Sequence, residues 1–254
     1  MNYVDIDAPT TKANEVLIDV TAIGINYADT HQTENSYLSP QTLPFIPGLE
    51  VTGTVDGKRY LAAVSGGYAQ KAVADRNLIF PIPDEVTDEQ ALCMLVQGAT
   101  AWHILKTVGH LKNGESVVIH AAAGGVGSLA IQLAKLWGGK VIAVTSSDEK
   151  KKLAKELGAD QVIDAETNNL KTEILKANGG KPVDLILEMV GGITTDISLD
   201  VLAPFGRMIV YGSASRGSSK TILPTSLMGG SKTVTGFWLA PVSYTHLTLP
   251  TILL

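Results

Sequence analysis

The stretch Ser116-Val-Val-Ile-His-Ala-Ala-Ala-Gly-Gly-Val-Gly127 runs directly into Ser128-Leu-Ala-Ile-Gln-Leu-Ala134. It joins an apolar, β-branched run to a run of helical period through a turn of small residues. A strand that turns sharply into a helix points backbone N–H groups and the helix N-terminus at an anion, which requires three positions without bulky side chains. Ala122, Gly124 and Gly127 fill them, with Gly125 and Val126 between the last two. The alanine in the first slot departs from G-x-G-x-x-G, and a tight strand-to-helix turn without a ligand is the alternative reading of such a motif. With a strand before, a helix after and a second strand at Lys140–Thr145, the stretch reads as the phosphate-binding turn of a dinucleotide site.

Outward from this turn the same alternation continues. Strands are expected at Ser116–Ala121, Lys140–Thr145, Gln161–Asp164, Val183–Glu188, Gly206–Tyr211 and Thr233–Phe237, six in all, the number of a dinucleotide-binding parallel sheet. One helix, Val126–Leu136, stops before Gly138-Gly139, and another, Ser147–Leu157, starts at a capping serine and stops at Gly158. Glu89–Val108 reads as one long helix. Before it, Glu15–Ala22, Val51–Val55 and Gly67–Val73 are short alternating runs broken by Pro and Gly, the pattern of a small irregular β domain.

The end of the second strand bears on cofactor choice. NAD sites place a carboxylate there, roughly 20 residues beyond the turn, to hold the ribose 2′-OH. Val141-Ile-Ala-Val-Thr-Ser-Ser147 ends without one. Ser147 and Lys150, with Lys151 as a substitute cation, offer a hydroxyl and a positive charge to a 2′-phosphate. NADPH is therefore the expected cofactor. The alternatives are that Ser147 only caps a helix and Lys150–Lys152 form a solvated face, and Asp148 stands close by.

A net charge of −5 over 254 residues leaves no basic surplus for a phosphate backbone, so nucleic acid is not an expected partner. Cys93 is the only cysteine, which excludes an intrachain disulfide and a four-cysteine zinc lobe and fits a reducing cytoplasm. No window approaches the roughly 18 apolar residues of a membrane span, and the first residues lack a signal-peptide pattern. A cytoplasmic protein with no membrane partner is expected.

Seven stretches together carry a family resemblance: Gly24-Ile-Asn-Tyr-Ala-Asp-Thr30, Leu43-Pro-Phe-Ile-Pro-Gly-Leu-Glu-Val-Thr-Gly53, Gly66-Gly-Tyr-Ala69, Gln97-Gly-Ala-Thr-Ala101, Ala121–Gly127, Glu188-Met-Val-Gly-Gly192 and Thr235-Gly-Phe-Trp-Leu239. The chain resembles the quinone oxidoreductases, the zeta-crystallin branch of the medium-chain dehydrogenases/reductases, over nearly its whole length to Leu239. The resemblance implies an α/β fold in two domains, a GroES-like β-rich catalytic domain over residues 1–95 and a Rossmann domain with a doubly wound parallel sheet over 96–240. It also implies hydride transfer from NADPH, in a homodimer of the full-length form.

Zinc-dependent relatives carry a histidine ligand just before the glutamate of G-H-E-x-x-G, where this chain has Gly48-Leu49-Glu50, and leucine cannot ligate zinc. His31, His103, His110, His120 and His246 are scattered without metal-site spacing. Without a metal to polarise a carbonyl, the substrate class shifts to acceptors that need little activation, quinones and α,β-unsaturated carbonyls. The resemblance puts Asn26 near the nicotinamide and substrate, Thr100 facing the nicotinamide, and His31 and Tyr37 at positions where relatives have tyrosines lining the quinone pocket. His31 could donate the proton that follows hydride transfer, or be an exposed loop histidine. Asn26 could be a turn asparagine and Thr100 an ordinary buried helix residue, while Phe237 and Trp238 read as packing residues at a sheet edge or dimer seam. A 2-alkenal or enoyl reductase on the same scaffold, and a catalytically idle nucleotide binder, are the competing functions.

Relatives have a strand and hairpin before the segment matching Tyr3–Asp7 and continue beyond Leu239 into segments that return to the first domain. Val242-Ser-Tyr-Thr-His-Leu-Thr-Leu-Pro-Thr251 instead reads like a translated sequencing adapter. Residues 241–254 are thus expected to be a non-native tail, the chain to be truncated at both ends, and its own activity to be impaired.

Overall fold

Between Ser116 and Gly236 the apolar runs form six strands, as their β-branched, unalternating composition requires of strands covered on both faces. They are β6 (Ser116–His120), β7 (Lys140–Thr145), β8 (Gln161–Asp164), β9 (Val183–Glu188), β10 (Leu202–Val210) and β11 (Thr233–Gly236). In this computed structural model, which describes residues 2–36, 38, 39 and 41–240, they lie in the order β11-β10-β9-β6-β7-β8. Every neighbouring pair is parallel. Counted from β6, this is the 3-2-1-4-5-6 order of a doubly wound dinucleotide-binding sheet, whose reversal falls between β6 and β9. Tyr37 and the tail 241–254 lie outside the described residues.

Helices α4 (Gly125–Leu136), α5 (Asp148–Glu156), α6 (Leu170–Ala177) and α7 (Ile193–Val201) connect the strands. They bury the sheet in two layers. On one face Ile119, Ile131, Ala134, Val141 and Leu187 pack with Ile104 and Leu105, and on the other Val118, Ile142, Ile174, Ile186 and Met208 pack together. His120 closes β6 in full burial, its Nε2 2.9 Å from Ser198 Oγ. Burial disfavours its charged form and pulls its pKa down to about 4.

The chain divides into two compact units, the first running up to Val96 and the second starting at Gln97. In the first, β1 (Glu15–Ile23), β2 (Glu50–Val55), β3 (Lys58–Ala63), β4 (Lys71–Asp75) and β5 (Ile79–Pro81) form an antiparallel sheet in the order β4-β1-β2-β3-β5. The sequence reading anticipates β1, β2 and part of β4 but not β3 or β5. Asp56 and Gly57, both at positive φ (49° and 75°), make the two-residue turn that folds β3 back onto β2. Two short helices complete this unit, α1 (Tyr27–Thr33) and α2 (Asp88–Cys93). Thr87 caps α2 in a reciprocal box with Gln90.

The single long helix expected over Glu89–Val108 is instead interrupted. After α2 come a widened π turn at Met94–Gly98, a short α3 (Ala99–Trp102) and a second π turn at His103–Thr107. The first widening falls where Val96 N–H leaves the helical ladder to donate to Glu50 Oε2 at 2.9 Å. The second closes with Val108 N–H on His103 O at 2.9 Å, a five-residue step.

Because Trp102, Trp137 and Trp238 all belong to the second unit, tryptophan fluorescence follows that unit alone. Between its ordinary value of 6.5 and about 4, His120 binds a proton in the unfolded chain but not in the folded one. Its contribution is therefore fully present above pH 6.5 and lost as pH falls toward 4. We expect the urea midpoint detected by tryptophan to drop across that window, and His120→Gln to flatten the drop. An unchanged slope in the variant would reject His120 as its source.

Candidate functional site

The turn after β6 is built around contacts that leave no room for side chains. Ala121 adopts a left-handed φ of 50°, Ala122 is fully buried, and Gly124 N–H closes the turn on Ala121 O at 2.9 Å. An added Cβ at Gly127 would stand 2.6 Å from Ala121 O and 2.7 Å from Ala122 Cα, so backbone there packs directly on backbone. At Gly125 the added Cβ would meet the Gln97 carboxamide at 2.4 Å, which ties the Gln97–Ala101 stretch to this turn. Gly124 differs. Its Cβ would meet only Ala121 O, at 3.2 Å, and otherwise open space.

Gly124 is the N-cap of α4 and offers no capping side chain. The amides of Gly125, Val126 and Gly127 form the first helical turn and have no partner within a helix. Open space over Gly124, exposed backbone at Gly124 and Gly125, and a positive helix end make this a cradle suited to a pyrophosphate. It lies at the carboxyl end of β6, beside the reversal in strand order.

At the end of β9 a second turn is organised by a residue that the sequence reading treats only as part of a motif. The fully buried Glu188 carboxylate accepts from the amides of Val190 at 2.7 Å and Gly191 at 3.1 Å, and from the Thr195 hydroxyl. This holds Gly191 and Gly192 at φ of 84° and 59°. The only hint in the sequence is an acid at the end of an apolar strand, three positions before the pair Gly191-Gly192.

At the end of β7, Ser147 caps α5, its hydroxyl accepting from Lys150 N–H at 3.3 Å. Lys150 is exposed and its ammonium enters no ion pair among the described residues. Lys151, the substitute cation of the sequence reading, stands differently. It is bound to Asp164 at 2.6 Å and to Asp148 at 3.1 Å, so its charge is already engaged. Asp148 starts α5 and points into solvent, with 99% of its side chain exposed apart from that pair.

In the first unit, Asn26 is buried at the N-cap of α1, not in an isolated turn. Its Nδ2 donates to Glu50 Oε1 at 2.8 Å, and Asp29 Oδ2 accepts from its backbone N–H at 2.8 Å. Asp29 Oδ2 also accepts from the Tyr68 hydroxyl at 2.8 Å. Burial, countered by the bonds from Asn26 and Val96, raises the Glu50 pKa to about 7. Burial and the neighbouring Asp29 carboxylate raise that of Tyr68.

His31 sits in the last turn of α1, half-buried, so the loop reading of this residue is corrected. Its Nδ1 is 3.2 Å from Ser36 Oγ and its ring meets Tyr27 edge-on at 5.6 Å. Thr100 is buried on α3 in the second unit. Phe237 stacks on His103 with ring centroids 6.1 Å apart and packs against the core. The sequence reading does not anticipate Glu50 as the partner of Asn26. Its only signal is a lone acid in the apolar run Leu49-Glu50-Val51, where a strand of this kind buries its side chains.

Comparison with known proteins fits both units. A model described as Alcohol dehydrogenase GroES-like domain matches residues 12–64, and one described as Zinc-binding dehydrogenase matches residues 125–251. Quinone oxidoreductase of Homo sapiens is 32% identical over 245 residues, covering 91% of this chain and 74% of its own length. Prostaglandin reductase-3 of Mus musculus is 32% identical, with 92% of this chain and 67% of its own length aligned. The crystal structure of the quinone oxidoreductase from Thermus thermophilus, solved also in complex with NADPH, superposes with a TM-score of 0.85 at 36% identity, covering 95% of this chain and 78% of that one. The two sheets are those of the medium-chain dehydrogenase/reductase fold, a GroES-like antiparallel sheet and a Rossmann-type parallel sheet. Within that superfamily, the chain belongs to the quinone oxidoreductase family.

Proposed function

We propose that this protein is an NADPH-dependent, zinc-independent reductase of quinones and related conjugated carbonyl acceptors. The observation that carries the reading is the turn from Ala121 to Gly127, with open space over Gly124 and an N-terminus of α4 that lacks a side-chain cap. Support for NADPH comes from the NADPH complexes of related quinone oxidoreductases and from Lys150, an exposed cation one turn beyond the end of β7 with Ser147 at its side.

NADPH, when bound, supplies a hydride, and the acceptor gains a proton besides. The chain's own residues do the rest. The amides of Gly125, Val126 and Gly127 bind the pyrophosphate, with Ala122 and Gly124 keeping the approach clear. Ser147 and Lys150 engage the 2′-phosphate. Asn26 orients the acceptor or nicotinamide through its amide, Thr100 lines the nicotinamide end, and His31 and Tyr37 belong to the acceptor pocket, His31 as a proton source. In this reading residues 1–95 are the catalytic domain and 96–240 the cofactor domain. Leu49 before Glu50 supports zinc independence, since the histidine of zinc-dependent relatives has no counterpart there.

The second reading, reduction of an enone or alkenal, is favoured by the similarity to a prostaglandin reductase, because both acceptor classes share a conjugated carbonyl. We read the protein as cytoplasmic, with no membrane partner, and no helix among the described residues is long and apolar enough to cross a membrane. We also read β11 as the pairing edge of a homodimer, since it is the outermost strand of its sheet and its outer backbone groups can pair with a second copy. Light scattering at micromolar concentration should give twice the chain mass. A monomeric mass would reject the dimer.

Turnover tests the function directly. In chelator-containing buffer, the protein should oxidise NADPH with quinone and enone panels and prefer NADPH to NADH, with Lys150→Ala narrowing the preference by about 10-fold or more. Asn26→Ala should lower kcat/KM by about 10- to 100-fold at little change in NADPH affinity. Equal affinity for the two nucleotides would remove the assignment of Ser147 and Lys150. Binding without turnover on either panel would leave the chain a nucleotide binder.

A further inference from the structure

Glu50 is a carboxyl group with no exposed surface, placed at the start of β2 among apolar neighbours. A group of that kind is retained only where specific donors meet it. Both oxygens are used: Oε1 accepts from Asn26 Nδ2 at 2.8 Å and Oε2 from Val96 N–H at 2.9 Å. The backbone is fastened as well, since Gly24 N–H donates to Glu50 O at 3.1 Å. Gly24 has no side chain where one would meet Glu50 Cγ and Oε1, both at 2.4 Å. The strand that carries Glu50 and the segment that carries Asn26 are thus built around this one contact.

We propose that Glu50 is a positioning residue for Asn26, holding the amide nitrogen on its carboxylate while the amide oxygen faces the Asp29 backbone N–H of the capping box. The proposal rests on the reading of Asn26 as the residue that meets the acceptor or nicotinamide, and adds what fixes the orientation of its amide. Glu50 carries no direct role toward substrate. Its function is to hold the Asn26 amide in one of its two orientations. A carboxylate has acceptor capacity for both of its donors, whereas a glutamine in its place has one acceptor oxygen and an amino group. In Glu50→Gln, one of the two donors must face that amino group, so Asn26 either loses its partner or turns its amide over.

The titratable groups around Glu50 are few. Asp29 on α1 raises its pKa, and Tyr68, hydrogen-bonded to Asp29, stands beyond it, while Val96 contributes only its backbone N–H. Burial brings Glu50 to about 7, within reach of ordinary titration.

The test combines kinetics with NMR of the Asn26 side-chain amide, assigned by its loss in Asn26→Ala. In the unmodified chain this resonance should shift with a midpoint near 7 as Glu50 ionises. Glu50→Gln should abolish that titration. It should also lower kcat/KM about 10-fold while leaving NADPH affinity within about twofold, and cause no further loss in the Asn26→Ala background. A merely structural role would instead add its loss to that of Asn26→Ala, and that result, or an Asn26 amide that does not sense Glu50 ionisation, would overturn the proposal. The titration in the unmodified chain keeps the test decisive even if Glu50→Gln does not fold. If Asn26→Ala leaves turnover intact while the Asn26 amide still titrates with Glu50, the positioning contact stands and the catalytic reading of Asn26 falls.

Discussion

The second unit depends on one steric constraint, the passage of α4 across the end of β6 with backbone against backbone at Gly127. The 2.6 Å and 2.7 Å approaches that a Cβ would make there leave no alternative residue without moving the helix. That closeness lets α4 pack Ile131 and Ala134 against the sheet, and it aims the helix N-terminus past the end of β6. The left-handed Ala121 costs the turn about 1–2 kcal/mol, as expected for a residue with a Cβ. The surrounding sheet, with β6 bonded on both sides by β7 and β9, holds it there.

Two buried carboxylates play parallel parts in the two units. Glu188 gathers the amides after β9 and the Thr195 hydroxyl, fixing a turn beside the same strand reversal. Glu50 gathers Asn26 and Val96, and in doing so opens the helix that begins with α2. In each case an acid that is unfavourable to bury is held by donors that would otherwise lack partners, so removing either partner leaves a charge or an N–H uncompensated. In each unit a buried acid thus fixes loop geometry at a strand terminus.

Much of the second unit was legible because its strands are continuous apolar runs separated by capped helices, and the glycine turn stands in the required context. The first unit was less so. Lys58-Arg-Tyr-Leu-Ala-Ala63 has no alternation to mark it as a strand and is recruited by the Asp56-Gly57 turn and by pairing with β2. The interruption of the helix over 94–107 was invisible because its first break answers to Glu50, 46 positions away in sequence from Val96. Lys150 and its substitute Lys151 are adjacent lysines of one helix, and the pairing of Lys151 with Asp148 and with Asp164 at the end of β8 is what separates them. Asn26 was picked out by its motif, while its partner could be found only once β2 and α1 were placed together.

The turn from Ala121 to Gly127 is read as holding the pyrophosphate of NADPH, and of its glycines Gly124 is the one where a side chain would meet least of the fold. Its φ of −80° and ψ of 177° suit a β-branched residue, and an added Cβ meets only Ala121 O, at 3.2 Å. Valine there would fill the space left for the ligand. Calorimetric titration of NADPH into Gly124→Val, with folding checked by tryptophan fluorescence and circular dichroism, should show affinity reduced by about 100-fold or more against the unmodified chain. Affinity unchanged in a folded Gly124→Val protein would contradict the claim and place the nucleotide elsewhere.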